Sequence, residues 1–299
     1  MQQRALASRL GRVGVWHGGI GRVPSGTARQ AAAEIERLGY GALWFGEGPG
    51  SEAVAHASLM LSATERITVA TGIANIWVRD ASAAHAAAHI LAEAYDGRFL
   101  LGLGASHAPL VDMRGHTYAK PLAAVRDYLD AMDAAPYGGP AAESAPARVL
   151  AALGPKMLEL ARDRTAGAHP YFVTPEHTAR AREILGADPV LAPEQAVLLE
   201  SDPATARSLA REHHTRFYLE LPNYTANLRR LGFGDDDFAG GGSDRLVDAI
   251  VAWGDVDAIA RRIAEHHDAG ADHVAVQPLA VGGDLGLDQL RELAPVLLG

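Results

Sequence analysis

The chain has 299 residues, of which 48% are hydrophobic and 21% are charged, as expected for a globular protein with a sizeable core. Its 27 basic and 36 acidic residues give a net charge of -9, which argues against nucleic acid or an anionic membrane surface as the main partner. The absence of cysteine excludes disulfides, metal–thiolate sites and cysteine nucleophiles. Because residues 1–11 lack the apolar core of a secretory signal, and no apolar stretch is long enough for a membrane span, we expect a cytoplasmic enzyme.

Short apolar runs alternate along the chain with alanine-rich segments of helical period. The runs predict eight strands, at residues 12–16, 41–46, 67–73, 98–103, 148–153, 169–173, within 189–199, and at 273–278. The segments between them predict helices at residues 27–38, 51–64, 81–95, 121–134, 155–164, 175–185, 203–213, 256–269 and 287–297, with Thr27, Thr174 and Asp202 as N-caps. Eight parallel strands covered by helices predict an α/β fold, the (β/α)8 TIM barrel, built as one domain over residues 1–299.

One segment does not follow this alternation. Residues 216–252 predict additional helices, separated by a loop at 235–243 that is first acidic and then rich in glycine. The segment is too short to bury a core of its own. We therefore predict a helical insertion between the seventh and eighth units rather than a second domain.

The ends of the predicted strands carry small residues mixed with a few polar and aromatic ones. In an α/β barrel the active site lies at this face, and glycine there lets a flat ligand approach the backbone. Glycines lie close to Trp16 and Glu47, and another precedes Ser106 and His107. Gly154 precedes a predicted helix, whose free amides and dipole favour a phosphate group. Together these features predict a nucleotide-like or flavin-like ligand.

Four segments carry a resemblance to a known family: Gly41-Ala-Leu-Trp-Phe-Gly-Glu47, Ile67-Thr-Val-Ala-Thr-Gly-Ile73, Arg98-Phe-Leu-Leu-Gly-Leu-Gly-Ala-Ser-His107 and Ala152-Leu-Gly-Pro-Lys-Met-Leu158. They resemble the bacterial luciferase-like monooxygenase superfamily of (β/α)8 barrels, and most of all its actinobacterial branch that uses the deazaflavin coenzyme F420. The resemblance implies an oxidoreductase that moves a hydride between a small organic substrate and coenzyme F420. It also implies a homodimer.

The resemblance further implies roles for individual residues. Glu47 would lie beside the cofactor ring, and a non-prolyl cis peptide at Gly72-Ile73 would back that ring. Glu47 and His107 are the predicted catalytic residues, for proton transfer or ring electrostatics, because an imidazole that titrates near neutrality suits proton transfer. The predicted cofactor-binding residues are Trp16, Glu47, Thr71, Gly72, Ile73, Gly104, Ser106 and His107 around the ring, and Gly154, Pro155, Lys156, Met157, Pro170 and Tyr171 around the phosphate.

Alternatives to this function stay open. The family also allows an FMN-dependent monooxygenase, and a non-catalytic barrel could store or carry the deazaflavin. The run Gly104-Ala-Ser106-His-Ala108 is close to the nucleophile elbow of a serine hydrolase, although Pro109 argues against the helix that an elbow needs.

His85, His89 and Glu93 have metal-like spacing, but an outer barrel helix is the wrong place for a catalytic ion, so we predict no metal site.

Overall fold

The structure of the protein, a computed structural model, describes residues 2–280 and 285–299. Within this range the strands form one sheet in which paired neighbours are parallel. They are β1 (Val13–Trp16), β2 (Ala42–Phe45), β3 (Thr68–Thr71), β4 (Ala74–Asn75), β5 (Phe99–Gly104), β6 (Arg148–Leu150), β7 (Gly167–Ala168), β8 (Val190–Leu191), β9 (Glu194–Leu199), β10 (Val251–Gly254) and β11 (Val274–Pro278).

The strand order shows how the sheet curls into a barrel. From β11 the order runs through β1, β2, β3, β5, β6 and β7 to β8, while β9 pairs with the other side of β11. Two residues separate β8 from β9, so one extended segment closes the ring: Ala192 N donates to Ala168 O, and Ala275 N donates to Pro193 O, both at 2.9 Å. The predicted α/β TIM-barrel fold is confirmed.

Helices cover the outside of the sheet and fill the connections between strands. They are α1 (Gln2–Leu10), α2 (Ser25–Leu38), α3 (Ala53–Leu61), α4 (Ala81–Ala94), α5 (Ala108–Asp112), α6 (Pro121–Ala134), α7 (Pro155–Arg164), α8 (Pro175–Leu185), α9 (Pro203–Ala210), α10 (Arg216–Leu219), α11 (Pro222–Arg230), α12 (Asp235–Phe238), α13 (Asp244–Ile250), α14 (Val256–Asp268) and α15 (Leu287–Leu297). None of the helices in the described residues has the length and apolar character needed to cross a membrane.

The side chains at helix starts confirm two predicted caps and correct the third. Thr174 Oγ1 accepts from His177 N at 3.4 Å, and Asp202 Oδ1 accepts from Thr205 N at 2.8 Å. Thr27 is not a cap, because α2 already begins at Ser25, directly after a proline. Such capping oxygens satisfy amides that have no partner within the helix.

The sixth barrel strand lies earlier than predicted. Residues 169–173 are not a strand; the pairing residues are Gly167–Ala168. Two local features explain the difference. Pro170 has no N–H to donate to a neighbouring strand, and Phe172 has a φ of +58°, which takes the chain out of the extended conformation.

The insertion is helical, as predicted, and it packs over the barrel mouth. A π-helical segment at Arg211–Thr215 precedes it, and α10 to α13 lie within it. Its last two residues, predicted as helical, instead begin β10, which pairs with β9. The predicted loop at 235–243 is partly wrong, because it contains α12, whose acidic first turn suits a helix N-terminus. Tyr224 and Leu228 of α11 belong to the same apolar cluster as Trp16 and Tyr171 of the barrel.

Candidate active site

The ends of β1, β3 and β5 meet at one wall of the barrel mouth. Trp16 Nε1 donates to Gly72 O at 3.0 Å, and the Gly72–Ile73 bond is cis, as predicted. A methyl group on Gly72 would lie 2.7 Å from Trp16 Nε1, and one on Gly104 would lie 2.9 Å from Ile73 Cγ1. Glycine is therefore required at both positions for the strand ends to pack this closely, and it brings four of the predicted ring-binding residues together.

Glu47 lies behind this wall and is saturated with hydrogen bonds. Its carboxylate accepts from Ala53 N and Asn75 N, each at 2.8 Å, and pairs with Arg79, which also pairs with Glu52. The Glu47 side chain has no exposed area. Burial opposes the charge on Arg79, but the two carboxylates outweigh it and raise the pKa of Arg79. This geometry favours a positioning role for Glu47 over the predicted proton transfer.

Thr71 is also engaged within the protein. Its side-chain hydroxyl donates to Gly102 O at 2.8 Å and accepts from Gly102 N at 2.9 Å, so it links β3 to β5. The residue is fully buried. Its hydroxyl has no remaining hydrogen to donate to a ligand, so this side chain holds the wall together, and a cofactor contact of Thr71 stays a prediction.

His107 follows β5 and points towards the insertion. Its ring centroid is 5.5 Å from that of Tyr224, and its buried Nδ1 has no hydrogen-bond partner among the described residues. Burial lowers the pKa of His107 below the ordinary 6.5, while a hydrogen bond with Asn223 raises it. The imidazole is therefore neutral at pH 7 and offers an unused ring nitrogen at the mouth.

Ser106 precedes His107 and has a φ of +61°, so its backbone is in the left-handed region. The objection that Pro109 prevents a helix here was wrong, because α5 begins at Ala108 with Pro109 in its first turn, a favoured position. A serine nucleophile also needs a base within hydrogen-bond reach. The buried Nδ1 of the neighbouring His107 has no partner in the described part of the chain, so it is not bonded to Ser106 Oγ.

Four of the predicted phosphate residues lie together at the start of α7. Gly154 and Pro155 form that start, with Lys156 exposed beside Met157. Arg230 of the insertion, which the sequence did not single out, approaches this helix start: a methyl group on Gly154 would lie 3.6 Å from Arg230 Nη2.

Tyr171 contacts a residue of the ring wall. It follows the buried Pro170, and its hydroxyl donates across the barrel to Gln277 Oε1 at 2.8 Å. Its ring centroid is 5.0 Å from that of Trp16. The role of Pro170 and Tyr171 at the phosphate stays a prediction.

The barrel interior also contains Glu194, an acidic residue that the sequence did not single out. Glu194 is 1% exposed, its Oε2 accepts from Phe172 N at 3.1 Å, and its Oε1 has no partner in the described part of the chain. Burial raises the pKa of Glu194 to about 8, although the bond from Phe172 lowers it. The sequence signal that could have identified Glu194 is a single acidic residue within an apolar strand. A charge is rarely buried without a function or a partner.

His85 and His89 lie on the outer helix α4. Their ring centroids are 4.5 Å apart, and His89 stacks on Tyr137 at 4.6 Å. In residues 2–280 and 285–299 no group of three or more histidine or acidic residues has the geometry to hold a metal ion.

Comparisons with known proteins agree on the family. The sequence profile of the luciferase-like monooxygenases matches residues 10–273. A stretch of 120 residues, 40% of this chain, is 30% identical to a Mycobacterium tuberculosis protein with the provisional name coenzyme F420-dependent oxidoreductase; it spans 35% of that relative.

Two solved structures show the same fold. An F420-dependent secondary alcohol dehydrogenase, in complex with an F420–acetone adduct, has a TM-score of 0.75 at 14% identity, covering 96% of this chain and 99% of that one. The oxygenating constituent of 3,6-diketocamphane monooxygenase of Pseudomonas putida, in complex with FMN, has a TM-score of 0.71 at 15% identity, covering 96% and 98%. Since the profile spans most of the sequence, this chain belongs to the luciferase-like monooxygenase family of oxidoreductases.

Proposed function

We propose that this protein transfers a hydride between a small organic substrate and the deazaflavin coenzyme F420. The observation that carries the proposal is the barrel-mouth wall of Trp16, Gly72 and Gly104, with the unpartnered Nδ1 of His107 at its edge. A flat wall made of glycine backbone suits a planar ring, and a buried nitrogen without a partner suits a ligand that brings one. The named F420-dependent relatives support the choice of cofactor.

Different residues of the chain would hold different parts of such a cofactor. When bound, the deazaflavin supplies the carbon that gives or accepts a hydride. Trp16, Gly72, Ile73 and Gly104 would support one face of its ring. Glu47 keeps that wall in place, while the neutral His107 would contact the ring edge and exclude water there.

The phosphate would lie at the start of α7. The amides after Gly154 and the positive end of the helix dipole favour an anion there, and Lys156 and Arg230 would add charge. Arg180 donates to Arg230 O at 2.6 Å, which places a further cation nearby.

A second candidate within the family is an FMN-dependent monooxygenase. The similarity to a monooxygenase of the same fold that was solved in complex with FMN favours it. A non-catalytic deazaflavin carrier is the candidate from another class.

We further propose that the protein acts in the cytoplasm and forms a homodimer. Light scattering of the purified protein tests whether it is a dimer.

A binding titration with F420, FMN and FAD, followed by fluorescence, tests the proposed function. We expect F420 to bind most tightly and to be oxidised or reduced with at least one member of a panel of alcohols, aldehydes, ketones and enones. Tight binding without turnover would favour the carrier. Preference for FMN, with oxygen consumption, would favour the monooxygenase, and failure of all three cofactors would overturn the assignment.

A further inference from the structure

A cavity of about 500 Å³ lies at the foot of the barrel, between α1, α4, α6 and β5 and residues 145–148 and 164–166. We call it the foot pocket. Residues 145–148 and 164–166 lie at the starts of β6 and β7, whereas the candidate active site lies at the ends of the strands. Leu101 of the foot pocket and Gly104 of the barrel-mouth wall are three residues apart on β5, a distance of about 10 Å along the strand.

Four buried apolar side chains from four different elements line the foot pocket. They are Leu6 of α1, Ala88 of α4, Leu101 of β5 and Met132 of α6. Apolar side chains that border an empty space lose packing contacts on that side. The volume of the foot pocket also lies in the range of small-molecule sites, about 300–1,000 Å³. These side chains therefore suit the apolar body of a small ligand.

Two histidines and a tyrosine form an aromatic edge of the foot pocket. His85 and His89, one turn apart on α4, line it, and their ring centroids are 4.5 Å apart. Tyr137 stacks on His89 with a centroid distance of 4.6 Å. Neither imidazole forms a hydrogen bond with another described residue. Burial lowers the pKa of His89, as does the neighbouring His85, so this imidazole is neutral at pH 7. Aromatic rings at such an edge favour a planar ligand.

Two arginines bring unused hydrogen-bond donors to the foot pocket. Arg148 Nη2 lies 2.7 Å from Asp133 Oδ1, and Arg164 Nη2 lies 2.9 Å from Asp133 Oδ2. Arg164 Nη2 also pairs with Asp130, which is outside the lining. Within the described chain, Nε and Nη1 of both arginines have no hydrogen-bond partner, while both oxygens of Asp133 accept one. Guanidinium groups with free N–H donors favour a carboxylate.

We propose that the foot pocket binds a planar aromatic carboxylate. The ring of the ligand would lie beside the imidazoles of His85 and His89, over the apolar side chains. Its carboxylate would accept hydrogen bonds from Arg148 and Arg164. The side chains of these arginines are 20% and 28% exposed, so a ligand can reach them from solvent. This site is separate from the one proposed for the cofactor and does not depend on it.

Titration calorimetry without cofactor tests the ligand class with three probes. They are 2-naphthoate, its uncharged analogue 2-naphthamide, and cyclohexanecarboxylate, which keeps the charge but is not planar. We expect one 2-naphthoate per chain with a Kd at or below about 1 mM. The Kd should be about tenfold higher for the amide and about fivefold higher for the non-planar acid. Absence of saturable 2-naphthoate binding, or equal Kd values for the three probes, would overturn the proposal.

Two arginine variants test where 2-naphthoate binds. We expect Arg148→Gln to raise its Kd about tenfold, because one charge-assisted donor is lost. Arg230→Gln makes the same change at the barrel mouth and should leave the Kd unchanged. The reverse pattern would place the acid at the mouth and overturn the proposal.

A histidine variant separates binding from folding, because Arg148 also pairs with Asp133. His89→Phe keeps an aromatic ring beside Tyr137 but removes the ring nitrogens. It should raise the Kd for 2-naphthoate about fivefold and leave the circular dichroism spectrum and the Kd for 2-naphthamide unchanged. An unchanged Kd for 2-naphthoate in both Arg148→Gln and His89→Phe would overturn the proposal.

Discussion

Glu47 and Ile73 are joined by a hydrogen bond of 3.1 Å from the amide of Glu47 to the carbonyl oxygen of Ile73. The carboxylate of the same Glu47 accepts from Asn75 N at 2.8 Å. Glu47, which lies just after β2, thus holds the β4 end of the short segment that connects β3 to β4 with both its amide and its carboxylate. That segment carries the wall against which we place the cofactor ring, so its position depends on the bonds of Glu47.

We predict that Glu47→Gln lowers the free energy of unfolding by about 3 kcal/mol, because the substitution leaves the buried guanidinium of Arg79 short of a charge partner. Glu52→Gln is the matched control, since Glu52 pairs with the same arginine but is half exposed. We expect it to cost less than about 1 kcal/mol. Urea denaturation measures both variants. Equal losses in the two would contradict the positioning role of Glu47.

We predict that Gly72→Ala weakens cofactor binding. Its methyl group would lie 2.7 Å from Trp16 Nε1 and 2.8 Å from His169 Nε2, so the wall must move. Overpacking of this kind costs about 1–3 kcal/mol, and a cost of that size in the cofactor-bound wall corresponds to a rise in the Kd for F420 of about fivefold to a hundredfold. Gly26→Ala, where the methyl group would meet open space, should leave the Kd unchanged. A normal Kd for Gly72→Ala would show that the ring does not rest there.

We predict that Arg230 contributes to the phosphate site. Arg230→Ala should weaken F420 binding about tenfold, as expected for loss of one charge-assisted hydrogen bond. It should not weaken binding of the deazaflavin fragment that lacks the phosphate. Arg229→Ala removes the same charge from the neighbouring position, where the arginine pairs with Asp235, and serves as the control. Equal weakening for both ligands would place the phosphate elsewhere.

We predict that two kinds of buried group make the stability depend on pH in opposite directions. Burial lowers the pKa of His169 and His273 to about 4 and that of His214 to about 3, from an ordinary 6.5. The unfolded chain therefore binds protons that the folded protein does not, so this stability is present above pH 6.5 and is lost as the pH falls towards 4. Urea denaturation between pH 6.5 and pH 4 should show a fall in the free energy of unfolding. Each histidine contributes at most about 1.4 kcal/mol to this fall for each pH unit.

Glu194 changes the free energy of unfolding with pH in the opposite direction to the histidines. Burial raises its pKa from 4.5 to about 8, so its contribution is complete below pH 4.5 and is lost as the pH rises to about 8. Glu194→Gln should remove this loss of stability between pH 4.5 and about 8 and leave the effect of the histidines intact. A loss of the same size in the variant over this interval would show that another group causes it.

The sequence predicted the barrel and part of the site because those features are local. Strand ends rich in glycine, and caps such as Asp202, are readable from neighbouring residues. The pairing of Glu47 with Arg79 joins residues 32 positions apart, and no local pattern predicts it. The burial of Glu194 depends on which face of β9 points into the barrel, and the approach of Arg230 to Gly154 depends on how the insertion folds back.

The central claim is that this barrel moves a hydride between deazaflavin and a carbon substrate without oxygen. F420 reduced with deuterium at its reactive carbon, mixed with the protein and the carbonyl panel under anaerobic conditions, tests it most directly. The account predicts oxidation of the deazaflavin and one deuterium at the former carbonyl carbon of the alcohol. A product formed only with reduced FMN and oxygen, or an alcohol without deuterium, would contradict it.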